Sequence, residues 1–552
     1  MPKCGPLYGD SSKLFLSSGV LVGESQTGVR QGCPLAMIFF CLGIQPMLQR
    51  LESEILSIRD GSSSPLPAGV VAYADDIYAY ISDLALAPAV AACSHIVGST
   101  TMTLKPSSCE VLVQPGRIAA VPGELLAASG FNVTDVGIKI LGNPVGTEGY
   151  RRTELRRKIE TMWRPLPALA HIHPQSAFIL LKECVDARPC YLERVAEPEL
   201  MWEALEEFDS RMDTAIACIA KTTVDPHLPV IRSLPSDLGG LGLTRHAGQR
   251  SAAQCKSSRE AVSQHIKAHP SRDDLIDGMA AWGPIAPRHH RDYVDGEEGP
   301  PRASEDPAPL GNNGTGIFGG TRGGRQWRRW QELYRRLLAE GREHHAAWLV
   351  SGSGPHGTTE WLTWRGGSDH RFALKADFFI EALRLRLLVA PFFNPEMRSH
   401  SMCHGVLIRD SPLHCLDCNA LTRWRNRRHD MVRDYLAEVI KVHARMEPRT
   451  SVETEVTIPG TGPRGAKKAD ILVRRGAATI MIDVGIVEPA APSYRAEGSH
   501  LREEVAADIM AARKQREFGD AAISDVPFVP FIVEATGRLG ERPPWIPSGG
   551  LW

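Results

Sequence analysis

An apolar run at 70–80 is interrupted at its centre by two adjacent carboxylates, Asp75 and Asp76. Apolar segments on both sides of a polar turn predict a β-hairpin with the two acids at its turn. Farther along the chain, amphipathic segments within 151–282 have the apolar spacing of helices. The N-terminal half is therefore predicted to mix strands and helices.

A second pair of strand-like runs lies near the C-terminus. Residues 467–473 predict one strand and residues 479–485 its neighbour, with a turn at 475–477 between them. Asp470 begins the first strand and Asp483 ends the second, so the two acids are spaced to converge on one cation. Because 552 residues exceed the roughly 250–300 of a single core, we expect an α+β protein of several domains.

The overall composition is that of an ordinary globular protein, with 43% hydrophobic and 23% charged residues. A net charge of −1 gives no overall attraction to nucleic acid, so such binding requires local basic patches. The 12 scattered cysteines favour a reducing compartment over a disulfide scaffold. No apolar stretch has the length of a membrane span and Met1 begins no signal peptide, which predicts a soluble, intracellular protein without a membrane partner.

Two neighbouring carboxylates are costly to hold together unless a cation offsets their charge. A divalent metal ion at Asp75 and Asp76 is one explanation, because paired metals serve phosphoryl transfer in polymerases. The alternative is an ordinary tight turn, in which Asp is common because its side chain hydrogen-bonds the local backbone. The hairpin alone does not decide between the two.

Neighbouring segments decide in favour of the metal. Residues 28–35 (Gly-Val-Arg-Gln-Gly-Cys-Pro-Leu), followed by an apolar helical stretch at 36–42, precede the Tyr-Ala-Asp-Asp turn. In this order they resemble motifs B and C of the reverse transcriptases of non-LTR retrotransposons. Residues 104–110 resemble motif D, and residues 138–146 resemble the primer-grip hairpin, motif E. The resemblance implies a partial reverse-transcriptase palm at 1–150.

The resemblance also implies roles for individual residues. Asp75 would bind a catalytic Mg²⁺ or Mn²⁺ with Asp76 in support, and template RNA, target DNA and dNTPs would be the partners. Four residues would contact template or nucleotide: Arg30, Gln31, Gly32 and Lys105. Gly32 suits this role because a residue without Cβ lets the template approach the backbone. For Lys105, a solvated loop lysine is nearly as good an interpretation.

One element of the family has no counterpart in this sequence. The family carries a further metal-binding aspartate in motif A, N-terminal to motif B. Only 27 residues precede Gly28, and their one aspartate, Asp10, lies among Gly, Pro and Ser residues typical of a loop. A two-metal site without that carboxylate loses most of its activity. We therefore expect an N-terminally truncated palm with an impaired polymerase.

Three regions are predicted after the palm: a helical thumb at 151–283, a disordered linker at 284–325, and a basic, aromatic helical region at 326–397. In the last, aromatic residues suit either nucleic-acid contact or burial. The glycine-rich segment 234–243 resembles one that follows the thumb, and no strand–loop–helix unit supports a nucleotide loop there. A basic cluster suits either phosphate contact or a solvated helix face; its members are Arg151, Arg152, Arg156, Arg157 and Lys158.

A zinc knuckle is predicted at 398–430. Four residues have plausible spacing for tetrahedral zinc: His400, Cys403, Cys415 and Cys418, with His404 and His414 as alternatives. The segment resembles the knuckle that precedes the endonuclease of site-specific non-LTR elements, although a second N-terminal cysteine of that pattern is missing. Residues 428–430 (Arg-His-Asp) resemble a further signature of the family.

The remaining region, 431–545, resembles the restriction-enzyme-like endonuclease of these elements. Asp470 and Asp483 would bind Mg²⁺. The lysine of the usual E-x-K motif would fall near Gly485, and Lys514 on a later helix would replace it. Phe518 stands where the family often has a tyrosine. The alternative for the two acids is ordinary polarity at strand edges.

Together these patterns predict a nuclear retrotransposon protein, an RNA-directed DNA polymerase with an endonuclease that nicks target DNA. The alternatives are a nicking nuclease alone or a non-catalytic nucleic-acid-binding protein, in either case from a truncated or decayed element. The expected metals are Mg²⁺ or Mn²⁺, together with Zn²⁺.

Overall fold

The computed structural model describes residues 12–25, 35–61, 68–82, 85–100, 102–121, 129–267, 325–353, 360–363, 374–389, 413, 416, 418, 422–444, 450–457, 468–519 and 526–540. The chain is a mixed α+β protein with helices and several small sheets. Among the helices of these ranges, none combines the length and the apolar character needed to cross a membrane. The chain divides into two compact units, with residues 1–158, 191–204 and 251–297 in the first unit and residues 159–190, 205–250 and 298–552 in the second.

The helices and strands follow one another in two stretches of chain. The first contains β1 (Ser12–Phe15), β2 (Leu21–Ser25), α1 (Ala36–Gly61), β3 (Gly69–Tyr73), β4 (Asp76–Tyr80), α2 (Leu86–Gly98), β5 (Glu110–Leu112), β6 (Asn132–Thr134), β7 (Gly137–Ile140), β8 (Asn143–Gly146), α3 (Glu148–Trp163), α4 (Pro174–Leu180), α5 (Cys190–Val195), α6 (Pro198–Ile219), α7 (Leu228–Ser233) and α8 (Gln249–Lys267). The second contains α9 (Arg325–Ala339), α10 (Glu343–Ser351), α11 (Glu360–Thr363), α12 (Ala376–Arg386), α13 (Thr422–Ala444), β9 (Thr450–Thr457), β10 (Lys468–Arg475), β11 (Ala478–Val487), α14 (Pro492–Ala496), α15 (Val505–Gly519) and β12 (Phe528–Glu534).

In the first unit, helices α1 and α2 pack on one face of the β3–β4 hairpin. Their buried side chains include Leu51 and Ile55, and the partly buried Val70 and Ile77 of the hairpin pack against them. Alternate residues of a strand point to opposite faces, so the other face carries side chains that are exposed, such as Tyr73 at 65%. The apolar packing of the hairpin against α1 and α2 is thus on one face.

The second unit contains a four-stranded sheet in the order β12-β11-β10-β9, with β11 parallel to β12 and the other neighbours antiparallel. Helix α13 packs its Leu436 and Ala437 against Ile482 and Val484 of β11. Helix α15 covers β11 and β12 with Ala506 and Ala507, together with Val487 and Ile532. Because β11 is buried by a helix from each direction, it reads as a nearly continuous apolar run.

The predicted hairpins and strands lie where the apolar patterns placed them, as the pairings of β3 with β4, β7 with β8 and β10 with β11 show. One boundary differs. Strand β11 continues past Asp483 to Val487 because it pairs with β12 there. Asp483 therefore lies inside its strand and not at the end. The predicted linker at 284–325 lies outside the described residues, apart from Arg325.

The aromatic residues of α9 are buried. Trp330 is 1% exposed and Tyr334 is 3% exposed. Their rings are stacked 5.3 Å apart, and Trp330 Nε1 donates to Ser353 Oγ at 3.0 Å. The sequence allowed either nucleic-acid contact or burial for the aromatic residues of this helix, and these two are buried.

The glycine-rich segment 234–243 is a packed backbone turn. A Cβ added to Gly240 would lie 2.0 Å from the Leu234 carbonyl oxygen, so only glycine fits there. The carbonyl groups of Ser236 and Gly240 accept hydrogen bonds from the buried Arg386. These glycines therefore serve close packing.

Candidate active site

Asp470 and Asp483 meet where the sheet of the second unit divides. Pairing between β10 and β11 extends from Arg475↔Ala478 to Ile471↔Ile482, the pair next to the two acids. Beyond that point β10 continues beside β9, and β11 continues beside β12. At the division, the Asp470 carboxylate accepts a hydrogen bond of 2.7 Å from Val484 N, so its side chain takes the place of a strand partner.

The two carboxyl groups contact each other in a poorly solvated place, since the Asp483 side chain is only 6% exposed. Burial raises the pKa of Asp483 to about 6, although Lys514 opposes the shift. Burial alone would also raise the pKa of Asp470, but hydrogen bonds with His429 and Asp483 outweigh it and lower that pKa below its ordinary value. A carboxyl in contact with another carboxylate holds its proton more tightly than a carboxyl in water. A proton at such a place marks where a cation would be favourable.

Lys514 reaches Asp483 from helix α15. Its ammonium group pairs with Asp483 Oδ2, and its side chain is 16% exposed. The lysine passes over Gly485, where an added Cβ would lie 3.0 Å from Lys514 Cε. Because Gly485 has no side chain, the Lys514 side chain can pass close to the backbone there. Four residues farther along α15, Phe518 stacks on Phe528 at 5.1 Å and belongs to the packing of the sheet.

His429 also lies at the division of the sheet, although its role was not predicted from the sequence. Its Nε2 is 3.1 Å from Asp470 Oδ2 and 3.1 Å from the Val484 carbonyl oxygen. The hydrogen bond with Asp470 raises the pKa of His429, which outweighs the opposing effect of burial. The only signal in the sequence was the resemblance of residues 428–430 to a family signature.

In the first unit, Asp75 and Asp76 lie at the tip of the β3–β4 hairpin. Tyr73 pairs with Asp76, so Ala74 and Asp75 form a two-residue turn. Ala74 has a φ of 54°, which favours glycine, and the turn is therefore strained. Both acids are exposed.

The β7–β8 hairpin is held at its turn by the side chains of Tyr78, Tyr191 and Lys158. Leu141 and Gly142, at the β7–β8 turn, have φ angles of 48° and 78°. Leu141 N donates to Tyr78 Oη at 3.2 Å, and Tyr191 Oη donates to the Leu141 carbonyl at 2.5 Å. Lys158 Nζ donates to the Gly142 carbonyl at 2.5 Å. Tyr78 thereby links the segments that resemble motifs C and E.

The other predicted nucleic-acid contacts have less structural support. Lys105 is exposed and precedes a short 3-10 turn at Pro106–Ser108. In the basic cluster, Arg151, Arg152 and Arg157 pair with glutamates at 2.6, 3.0 and 2.8 Å. These pairs favour a structural role for the three arginines.

Several predicted site residues lie outside the described ranges: Arg30, Gln31, Gly32, His400, Cys403, His404, His414 and Cys415. Cys418 is described, is 1% exposed and is disulfide-bonded. A disulfide sulfur offers no thiolate to a metal. Because the other predicted ligands lie outside the described residues, the zinc knuckle stays a prediction.

No known protein-family model matches the chain, and no curated protein matches it. The resemblance to non-LTR retrotransposon proteins therefore depends on the motifs quoted above, and the chemistry of the two aspartate pairs must be argued from their geometry.

Proposed function

We propose that this chain is a metal-dependent nuclease that nicks DNA, with its active site at the division of the β10–β11 sheet. The observation that carries the proposal is the meeting of Asp470, Asp483 and Lys514 at one point. The two acids can hold a metal ion for phosphodiester hydrolysis, and the lysine adds a positive charge beside them. DNA as the substrate follows the resemblance to site-specific elements.

The donor set fits Mg²⁺. Mg²⁺ prefers carboxylate oxygens and retains several waters, and Asp470 and Asp483 supply two adjacent carboxyl groups. The raised pKa of Asp483 shows that its negative charge lacks full compensation. Asp470 and Asp483 would hold the ion, which when bound polarises the scissile phosphate and activates water.

The protein's own groups supply positioning and charge. Asp470 is oriented by Val484 N, so one of its oxygens has a fixed direction. Lys514 brings a positive charge beside Asp483, where it stabilises the negative charge that develops on the phosphate during attack. Side-chain packing on both sides of β11 keeps these groups in place.

Nicking of supercoiled plasmid DNA by the full chain tests this proposal. We expect open-circular product with Mg²⁺, none with a chelator, and recovery when Mg²⁺ is added back. The Asp470→Ala/Asp483→Ala double variant should be inactive while retaining its circular-dichroism spectrum. Unchanged nicking in the folded double variant rejects this active site.

A second candidate function is nucleic-acid binding by the first unit, as the remnant of an RNA-directed DNA polymerase. The contact of Tyr78 with Leu141 favours it, because it joins the Asp75–Asp76 hairpin to the segment that resembles a primer grip. Asp75 and Asp76 lie exposed at a strained turn, so we expect template–primer binding without extension. Primer extension on RNA with Mg²⁺ or Mn²⁺ that is abolished by Asp75→Ala would contradict this expectation.

A further inference from the structure

We propose that His429 is a positioning residue that fixes Asp470 for metal binding, an inference that rests on the proposed nuclease function. Its imidazole Nε2 lies 3.1 Å from both Asp470 Oδ2 and the Val484 carbonyl oxygen. A carbonyl oxygen only accepts hydrogen bonds. Nε2 therefore carries a hydrogen and donates, which excludes it as a metal ligand in this arrangement.

Asp470 Oδ2 is held from two directions. It accepts from Val484 N at 2.7 Å and from His429 Nε2 at 3.1 Å. These two donors come from a strand and a helix, so together they fix the plane of the carboxyl group. Because the carboxyl group is planar, the direction of the other oxygen, Oδ1, is fixed as well.

Helix α13 places His429 rigidly. Leu436 and Ala437 lie seven and eight positions after it, on the same helical face, and pack into the core against the sheet. One turn after His429, Arg433 pairs with Glu455 of β9 at 2.5 Å. The helix is thus anchored to strands on both sides of Asp470.

Its surroundings distinguish His429 from a core histidine. The side chain is 30% exposed, and its second nitrogen, Nδ1, lies 3.5 Å from Asp430 Oδ1. A histidine that merely fills space would gain nothing from facing an acid and a strand carbonyl at a division of the sheet. The geometry assigns it to the orientation of Asp470.

Calorimetric titration of the full chain with Mg²⁺ tests this assignment without depending on turnover. The site is defined as the binding heat that Asp470→Asn/Asp483→Asn removes. We expect His429→Ala to raise the Mg²⁺ dissociation constant at this site about tenfold, the usual effect of losing an outer partner of a ligand. His429→Gln should recover most of the affinity, because its amide nitrogen reaches the place of Nε2. His171→Ala, a change at an exposed histidine, is the matched control and should bind as wild type does.

The outcomes separate this inference from the proposed function. Unchanged affinity in His429→Ala, or His429→Gln as weak as His429→Ala, overturns the positioning role. If His429→Ala does not fold, His429→Gln decides by the same measure. Wild-type binding without plasmid nicking contradicts the nuclease function alone, and no wild-type binding heat overturns both.

Discussion

The two aspartate pairs of this chain have the same chemistry but different surroundings. Asp75 and Asp76 are neighbours in sequence, lie at an exposed hairpin tip, and belong to a hairpin whose apolar packing is on one face. Asp470 and Asp483 come from two strands, are largely buried, and are contacted by His429 and Lys514 from two helices. In water, two exposed carboxylates are screened and weakly coupled, whereas buried ones are strongly coupled.

This difference shows that two acids make a site only when other elements add what the acids lack. At the sheet division, Lys514 pairs with Asp483, and the Val484 amide and His429 hydrogen-bond Asp470. At the hairpin tip, the turn holds the two acids, and both acids are exposed. The comparison predicts catalysis at the first place and not at the second.

The largest expected effect comes from making the same change in both pairs. Asp470→Asn/Asp483→Asn should lower the rate of plasmid nicking by at least about 10⁴-fold, because metal-assisted catalysis supplies several kcal/mol. Asp75→Asn/Asp76→Asn should leave the rate within twofold of wild type, to within about 0.4 kcal/mol. Rates are measured with Mg²⁺ in excess on the same DNA. Equal loss in both double variants would mean that the hairpin takes part in nicking.

Relocating the lysine gives the next largest effect. Lys514→Ala should slow nicking by about 10²–10³-fold, as the removal of one charge-stabilising group does. Gly485→Lys in the same chain should restore part of the rate, because residues two apart on a strand share a face. The Lys514 side chain is then gone, and the Cδ1 methyl of Ile532, 2.7 Å from an added Cβ, has to rotate aside.

Arg513→Ala, next to Lys514, is the control for the relocation. Arg513 pairs with Glu517 and its side chain is 64% exposed, so its loss should not change the rate. If the Lys514→Ala/Gly485→Lys double variant nicks as slowly as Lys514→Ala alone, the position of the lysine on α15 is required in addition to its charge.

Much of the fold was predictable because apolar patterning is local. The runs around Asp75, Asp470 and Asp483 identified both hairpins without tertiary information. The bounds were less accurate where tertiary pairing decides them, since β11 continues past Asp483 only because β12 lies beside it.

The site was predictable only in part, because its remaining members depend on packing between distant segments. Asp470 and Asp483 are 13 positions apart on paired strands, and their meeting follows from register. Lys514 was suggested by resemblance, since no periodicity places its side chain over Gly485. His429 is separated from Asp470 by 41 positions, and only the packing of α13 brings it to the acid. The exposure of Asp75 and Asp76 was likewise set by which helices cover β3 and β4.

A difference in pH dependence should sharpen the contrast between the pairs. Because burial raises the pKa of Asp483 from 3.8 to about 6, the folded chain binds this proton more tightly than the unfolded chain. Its contribution to the free energy of unfolding is therefore present below pH 3.8 and is lost as the pH rises to about 6. With a chelator present, Asp483→Asn should remove this loss, which amounts to up to about 3 kcal/mol.

Denaturant unfolding at several values between pH 4 and pH 7 measures the effect, and Asp75→Asn is the control. We expect the control to follow the wild-type curve because Asp75 is exposed. If Asp483→Asn keeps the wild-type slope, the pKa of Asp483 is not raised in the folded chain.

The smallest effect concerns the hairpin that carries Asp75 and Asp76. Tyr78→Phe removes the oxygen that accepts from Leu141 N, and should lower the free energy of unfolding of the first unit by about 1 kcal/mol. Tyr73→Phe alters a hydroxyl on the same hairpin whose side chain is 65% exposed, and should stay within about 0.5 kcal/mol of wild type. Hydrogen exchange at the amide of Leu141 reports the local change, with faster exchange expected in Tyr78→Phe alone. Equal exchange in both variants would mean that the two hairpins are not joined through Tyr78, and the second candidate function would lose its structural support.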